Sequence, residues 1–244
     1  MERVQVSISV SGVYKSFGKQ AVLRGIDFSV EKGDVLGLIG PSGAGKTTLI
    51  RLITGAISPD KGNIIIDGLA VPNRVLFPKI GFMPQSDALY NDLSGLDNLK
   101  FFGRLYGLKD KELLSRCEEL LRFIGLYEDR KKLVFHYSGG MRKRLSLIIT
   151  LLHDPPYLVL DEPTVGIDPI LRRKIWAYFV ALAKEGKTII VSTHVMDEAV
   201  RCSKCALIYE GKLLAFGTLE ELLEATPNGQ LEELFFIQQE GENQ

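Results

Sequence analysis

Charge of one sign is missing from this chain. Its 244 residues carry 30 Lys and Arg against 30 Asp and Glu, for a formal net charge of zero. Nothing suggests a strongly basic surface, so nucleic acid is not the default partner. Long apolar runs are missing too. Leu145 to Leu152 is the longest candidate, and it contains Ser146 and Thr150. It falls well short of the roughly 18 apolar residues of a membrane-spanning helix. The opening Met1-Glu-Arg-Val lacks the apolar core of a signal peptide. These absences lead us to expect a cytosolic chain whose membrane contact, if any, comes through a partner. Cysteine is scarce, with only Cys117, Cys202 and Cys205. An odd count without a secretion signal argues against a disulfide framework. Cys202-Ser-Lys-Cys205 has C-x-x-C spacing, but a zinc site needs about four ligands. Neither a second C-x-x-C nor a His pair is present, so burial near a strand start is the favoured reading. No internal repeat or low-complexity tract stands out. The rest of the composition, 45% hydrophobic and 25% charged, suits an ordinary α/β protein with a sizeable core.

What the chain has is a complete phosphate-binding loop. Residues 40–48 read Gly-Pro-Ser-Gly-Ala-Gly-Lys-Thr-Thr, with Gly40, Gly45, Lys46 and Thr47 at the G-x-x-x-x-G-K-[ST] spacing. Apolar Val35 to Ile39 before it read as a buried strand, and Leu49 to Thr54 after it as the opening of a helix. Free backbone N–H groups at a helix start point at an anion, and the glycines let the backbone wrap a phosphate without Cβ clashes. In this motif Lys46 reaches the β- and γ-phosphates and the Thr47 hydroxyl sits on Mg²⁺.

Further along, residues 4–30 alternate apolar and polar in patches (Val4, Val6, Ile8, Val10, then Ile26, Phe28, Val30), which predicts an antiparallel sheet lining an edge. Gly62 to Gly68 and Ile80 to Met83 read as short strands. From about Ser86 to His153 the character turns helical. Ser94-Gly-Leu-Asp97 resembles a capping box with Asp in the acidic place. Leu113, Leu114, Leu120, Leu121 and Ile124 form an apolar stripe, and Gly139 to Leu152 is a third helix. Alternation then resumes: strand Tyr157–Leu160, helix Ile170–Lys184, strand Thr188–Ser192, helix Val195–Arg201, strand Cys205–Tyr209. Strands separated by such helices imply a parallel sheet with right-handed crossovers. Thr218-Leu-Glu-Glu221 is a full capping box, and the tail holds an amphipathic piece, Leu231–Ile237.

Two more groups carry chemistry. The apolar strand at Tyr157 ends in Asp161 and Glu162. Adjacent carboxylates at a buried strand end are costly unless they meet cations. Beside a phosphate loop, Asp161 would order Mg²⁺ through water and Glu162 would polarise the attacking water. Tyr137-Ser-Gly-Gly-Met141 opens a basic helix and makes a second anion site of helix-start type.

In sum these motifs resemble, in order and spacing, the nucleotide-binding subunit of ATP-binding cassette (ABC) transporters, from about Val4 to Leu223. The resemblance implies a P-loop, RecA-like α/β core with a parallel sheet, an N-terminal antiparallel β subdomain and an inserted α-helical subdomain. One domain would span 1–223, with its core at 1–85 and 154–223 and the helical part at 86–153. A short extension, 224–244, would follow. Gln85 matches the family's Q-loop glutamine, a Mg²⁺ and water ligand. His194 matches the switch histidine on the γ-phosphate, and Phe17 the aromatic stacked on adenine, with Tyr14 a less favoured stacker. Gly40, Ser42, Gly43, Ala44, Gly45, Lys46, Thr47 and Thr48 would cradle the phosphates. Lys46, Gln85, Glu162 and His194 would be catalytic, and Thr47, Gln85 and Asp161 would hold the metal. Ser138, Gly139 and Gly140 of the signature would cover ATP bound to a second subunit, joined by Asp168 of the segment Val165-Gly-Ile-Asp168. The cofactors implied are ATP and Mg²⁺. The partners implied are a separate integral-membrane subunit and a second ATP-binding subunit, a homodimer or a heterodimer. Tyr137 and Met141 depart from the usual Leu and Gln of the signature and are similar to an exporter branch that handles drugs, lipids and polysaccharides. Val165 replaces a serine, which puts coupling through that hydroxyl in question. The alternatives are a cytosolic ABC ATPase that drives an assembly, a P-loop kinase, and a module dimerised by ATP. The apolar set Leu89, Tyr90, Leu93, Phe101 and Phe102 reads equally as lobe core or as a groove for a short helix of the membrane partner.

Overall fold

The computed structural model describes residues 5–226 and 228–235. Val4 and the last two residues of the Leu231–Ile237 piece lie outside them. Two sheets sandwich one helix. The first sheet has the order β2-β1-β4-β5 and is antiparallel throughout: β1 Val6–Phe17, β2 Gln20–Glu31, β4 Lys61–Ile66 and β5 Leu69–Ala70. The second has six strands in the order β10-β9-β3-β8-β7-β6. Five are parallel (β3 Val35–Ile39, β6 Ile80–Met83, β7 Tyr157–Asp161, β8 Thr188–Thr193, β9 Lys204–Tyr209), and β10 Lys212–Gly217 closes the edge antiparallel to β9.

Helix α1 (Lys46–Ile53) lies between the sheets. Leu49, Ile50, Leu52 and Ile53 are fully buried, against Ile8, Val10, Val13, Ile26 and Ile64 of the first sheet and Leu36, Leu38, Val159 and Ile190 of the second. The alternate residues of the second sheet, Val35, Ile39, Leu158, Leu160 and Val191, face the other way. They pack with α5 (Pro169–Lys184) through Ile175, Trp176 and Phe179. Both faces are thus covered, which is why Val35–Ile39, Tyr157–Leu160 and Ile189–Val191 read as continuous apolar stretches rather than alternating ones.

Between β6 and β7 the chain runs through three helices: α2 Gly95–Leu105, α3 Asp110–Phe123 and α4 Gly139–Leu151. Their shared interior includes Leu99, Leu113, Cys117, Leu120, Leu145 and Ile148. Thr150 of α4 donates to the Phe82 carbonyl at 3.3 Å, tying the helices to the sheet. A short helix, α6 Leu219–Glu224, follows β10, with Thr218 and Glu221 forming the expected capping box. Among the described residues no helix is long and apolar enough to cross a membrane.

Several expectations need correction. The antiparallel strands form a sheet of their own instead of lining an edge, because their apolar side is turned onto α1. α1 begins at Lys46, ahead of the apolar residues, since the loop itself supplies the helix start. Leu114 is 44% exposed and Cys117 takes its place in the stripe, one helical turn from Leu113. The segment after His194 is a 3-10 turn, Met196–Arg201, whose Glu198 side chain points inward to Thr164 and Trp176. At Ser94 the Asp97 carboxylate accepts from the serine hydroxyl (2.6 Å), while Ser94 Oγ caps the helix at Asp97 N–H. All three cysteines are free thiols in the core, and no metal-holding group of His, Cys, Asp and Glu occurs among the described residues. Of the apolar set near α2, Tyr90 (48%) and Phe101 (42%) are exposed, while Leu89, Leu93 and Phe102 are half-buried.

Candidate active site

The phosphate loop leaves β3 at Gly40 and enters α1 at Lys46. A Cβ on Gly40 would lie 2.1 Å from the Ile208 carbonyl oxygen, so no other residue fits where the loop crosses β9. Gly45 caps α1 with φ +107°, a left-handed backbone that L residues rarely adopt. No side chain caps α1, so its first N–H groups are left for a ligand. The result is a cavity of about 260 Å³ lined by Ser42, Gly43, Gly45, Lys46, Thr47 and Thr48. Gln85 and Glu162 lie across it, and Val22 of β2 completes the wall.

Lys46 is only 6% exposed. Its ammonium donates to the carbonyls of Gly40 (2.7 Å) and Pro41 (2.8 Å). Burial pulls its pKa down from the ordinary lysine value, and the carboxylates of Glu162 and Asp161 oppose the shift. Those two carboxylates stand at the C-terminal end of β7. Asp161 is buried (1% exposed) and accepts a short hydrogen bond from the Ser192 hydroxyl. Glu162 sits at φ +51°, an uncommon conformation for a residue with a side chain. Its N–H is held by Ser192 Oγ (3.0 Å) and by the Ser192 carbonyl (3.2 Å). The turn aims its carboxylate at two partners. Gln85 Nε2 donates to Oε2 at 3.3 Å, and His194 Nδ1 is hydrogen-bonded to Oε1 at 2.9 Å.

A second cavity, about 220 Å³, adjoins Gln85 and is lined by Thr47, Asp161, Arg51 and Pro84 among others. Thr47 hydroxyl, Asp161 carboxylate and the Gln85 amide oxygen are all hard oxygen donors, the set Mg²⁺ selects. The group fits a cation that keeps waters and takes phosphate oxygens as further ligands.

The fold therefore gathers Ser42, Gly43, Gly45, Lys46, Thr47, Thr48, Gln85, Asp161, Glu162 and His194 around one place. Gly40 and Ala44 underlie the loop without lining the cavity. Phe17, 49% exposed, ends β1 outside the cavity wall, with Lys15 Nζ 5.7 Å from its ring centroid. Ser138, Gly139 and Gly140 open α4, with Ser138 capping it at Met141 N–H, and none lines the phosphate cavity. Asp168 caps α5, accepting from Leu171 N–H at 2.9 Å. None of these last four lines the phosphate cavity, while Gly139 shares a separate cavity with Gln85 and Asp87. Sequence reading overlooked Ser192, which holds the Asp161 carboxylate and the Glu162 backbone N–H; the one available signal was a hydroxyl at the end of an otherwise apolar strand.

The family model described as "ABC transporter" matches residues 23–165. The chain is 38% identical over 218 residues to the linearmycin resistance ATP-binding protein LnrL of Bacillus subtilis (strain 168), covering 88% of this chain and 70% of that one. It is 39% identical over 234 residues to the Nod factor export ATP-binding protein I of Rhizobium sp. (strain N33), covering 95% and 77%. A solved ATP-binding subunit of an ABC transporter superposes with a TM-score of 0.87 at 27% identity, over 94% of this chain and 98% of that one. Phosphate loop, paired strand-end carboxylates, sheet order and relatives agree: this chain belongs to the ABC transporter family, as an ATP-binding subunit that hydrolyses ATP.

Proposed function

We propose that this ATPase works as a pair of subunits that sandwich two ATP molecules and drive export through a separate membrane subunit. The observation that carries the reading is Glu162, held by Gln85 and His194 across the cavity from Lys46. A single domain over 1–223, with its helical part at 86–153 and an extension at 224–244, would do this work. Gly40 to Thr48 would hold the phosphates, Lys46 exchanging its two carbonyl partners for β- and γ-oxygens. Thr47, Gln85 and Asp161 would hold Mg²⁺, which when bound neutralises charge on the phosphates. Glu162 would take a proton from the attacking water, and His194 would steady both Glu162 and the γ-phosphate. Phe17 would stack on adenine. Ser138, Gly139, Gly140 and Asp168 would close over the nucleotide of the second copy. Their position away from the chain's own phosphate cavity supports that arrangement, since a monomer gives them no phosphate to touch.

Two relatives that carry "resistance" and "export" in their names support export over import. The membrane subunit would dock a short helix where Pro84, Leu89, Phe102, Tyr106 and Ile149 line an apolar depression, with Tyr90 and Phe101 at its rim. The chain would then sit on the cytoplasmic face of the membrane.

Glu162→Gln tests the reading. We expect ATP binding to persist and turnover to fall by roughly 10²-fold or more, the usual worth of a general base. The variant should also accumulate as an ATP-bound dimer on size-exclusion chromatography with light scattering. Unchanged turnover would remove Glu162 from the chemistry.

A further inference from the structure

Two residues outside the phosphate cavity join the segments that serve its two ends. Asp87 follows Gln85 by two positions, and Arg142 follows Ser138 by four. The Arg142 guanidinium grips the Asp87 carboxylate with both prongs: Nε donates to Oδ2 and Nη2 to Oδ1, each at 2.8 Å. Its remaining nitrogen, Nη1, donates to Asn91 Oδ1 at 2.7 Å and to the Val134 carbonyl at 3.3 Å. One side chain on α4 thus ties down the segment after β6, where Gln85 lies, and the turn that leads into Ser138. The Arg142 and Asp87 side chains are 22% and 29% exposed, so the pair sits at the surface and is partly shielded from water. Arg142 holds the Asp87 carboxyl below the ordinary carboxylate range, and Lys143 adds to the effect.

Bidentate pairs of this kind fix orientation as well as distance. The stretch from Pro84 to Ser94 has no helix or strand of its own, so it takes its position from such contacts. In the sandwich proposed above, Gln85 and Ser138 of one chain serve different nucleotides: Gln85 its own, Ser138 its partner's.

We propose that Arg142 and Asp87 are positioning residues that make the Gln85 segment and the Ser138 turn move together, and so couple the two nucleotide sites. ATP drawing Gln85 inward at one site would carry Ser138 toward the other. This inference rests on the paired-subunit reading, and its test separates the two.

The test uses the full chain with Asp87→Asn and Arg142→Lys. The first removes the charge at nearly constant shape, and the second keeps the charge but loses the fork. Three quantities are read: ATP affinity from a fluorescent nucleotide, the Hill coefficient of ATP hydrolysis, and the ATP needed for half-dimerisation in the Glu162→Gln background. We expect affinity at the single site to stay within about twofold of the parent. The Hill coefficient should drop from above 1 to about 1, and the half-dimerising ATP concentration should rise by about tenfold, the scale of one charge-assisted bidentate contact. A Hill coefficient that is unchanged in both variants, or equal to 1 in the parent, overturns the coupling. So does a loss of affinity that simply tracks a loss of urea stability, which is what a merely structural pair would give. If Glu162→Gln itself fails to dimerise with ATP, the paired-subunit reading falls instead.

Discussion

Ser192 is fully buried, and its single hydroxyl serves two masters. It donates to Asp161 and accepts from the Glu162 N–H. A buried carboxylate needs such donors, because desolvation penalises its charge. The Glu162 backbone needs an acceptor, because φ +51° persists only where surrounding contacts hold it. Removing the hydroxyl harms both. For Ser192→Ala we expect a stability loss of about 1–3 kcal/mol, the cost of orphaning buried polar groups. Turnover should fall by a larger factor than ATP affinity, since Lys46 and the phosphate loop stay in place. Urea midpoints and a comparison of kcat with KM check this. An unchanged kcat would mean that Gln85 and His194 alone aim the Glu162 carboxylate.

At the scale of elements, the join between the segment after β6 and α4 responds to acid in a defined sense. Asp87 titrates below its ordinary value in the folded chain, chiefly through its hydrogen bonds from Arg142. The folded state therefore binds fewer protons than the unfolded one. The stability it adds is complete above the unfolded carboxylate value of about 3.9 and is lost as pH falls through the lower folded value. The stability gap between the parent and Asp87→Asn should be widest above pH ~5, clear of the unfolded value, and should narrow as pH falls through the range in which the folded carboxyl takes up its proton. Urea midpoints at both ends of that range would show it, and a gap constant with pH would mean the pair is not ionic.

Most elements could be read from the sequence because their local rules agree with their burial. Val35–Ile39, Ile80–Met83 and the start of β7 are unbroken apolar runs, buried on both faces. Thr218 and Glu221 form their box as written. What failed depends on distant partners. Leu114 follows Leu113 in the chain but points about 100° away around the helix, and only the packing of α3 shows that Cys117 belongs inside. The turn at Met196–Arg201 has helix-like composition, yet Glu198 is drawn inward by Thr164 (2.5 Å) and Trp176 (3.1 Å). β10, with its half-buried residues, carries no strong alternation to announce it. Of the site, the loop and the two carboxylates were legible as motifs, whereas Ser192 and Arg142 act through side chains across 31 and 55 residues of chain.

For the whole molecule, the outward apolar rim by α2 bears on assembly. Tyr90 and Phe101 meet edge to face with centroids 4.8 Å apart, and both are exposed. Exposed aromatic patches of this kind mark contact surfaces. Phe101→Glu should keep basal ATPase within about twofold, because the ring is far from full burial, where polar substitution is costly. It should abolish co-purification with the cognate membrane subunit when the two are co-expressed. Retained co-purification would move the docking surface elsewhere.

If Phe17 stacks on the base as proposed, the two sheets divide the recognition of the nucleotide. Phosphate chemistry is gathered at the C-terminal edge of the parallel sheet, while Phe17 stands on the antiparallel one. A phenyl ring has no hydrogen-bonding edge; it offers a flat face that any purine can cover. With Phe17 as its base contact, the chain would read the length and charge of the triphosphate closely and the identity of the base hardly at all. Its fuel would then be chosen by abundance in the cell.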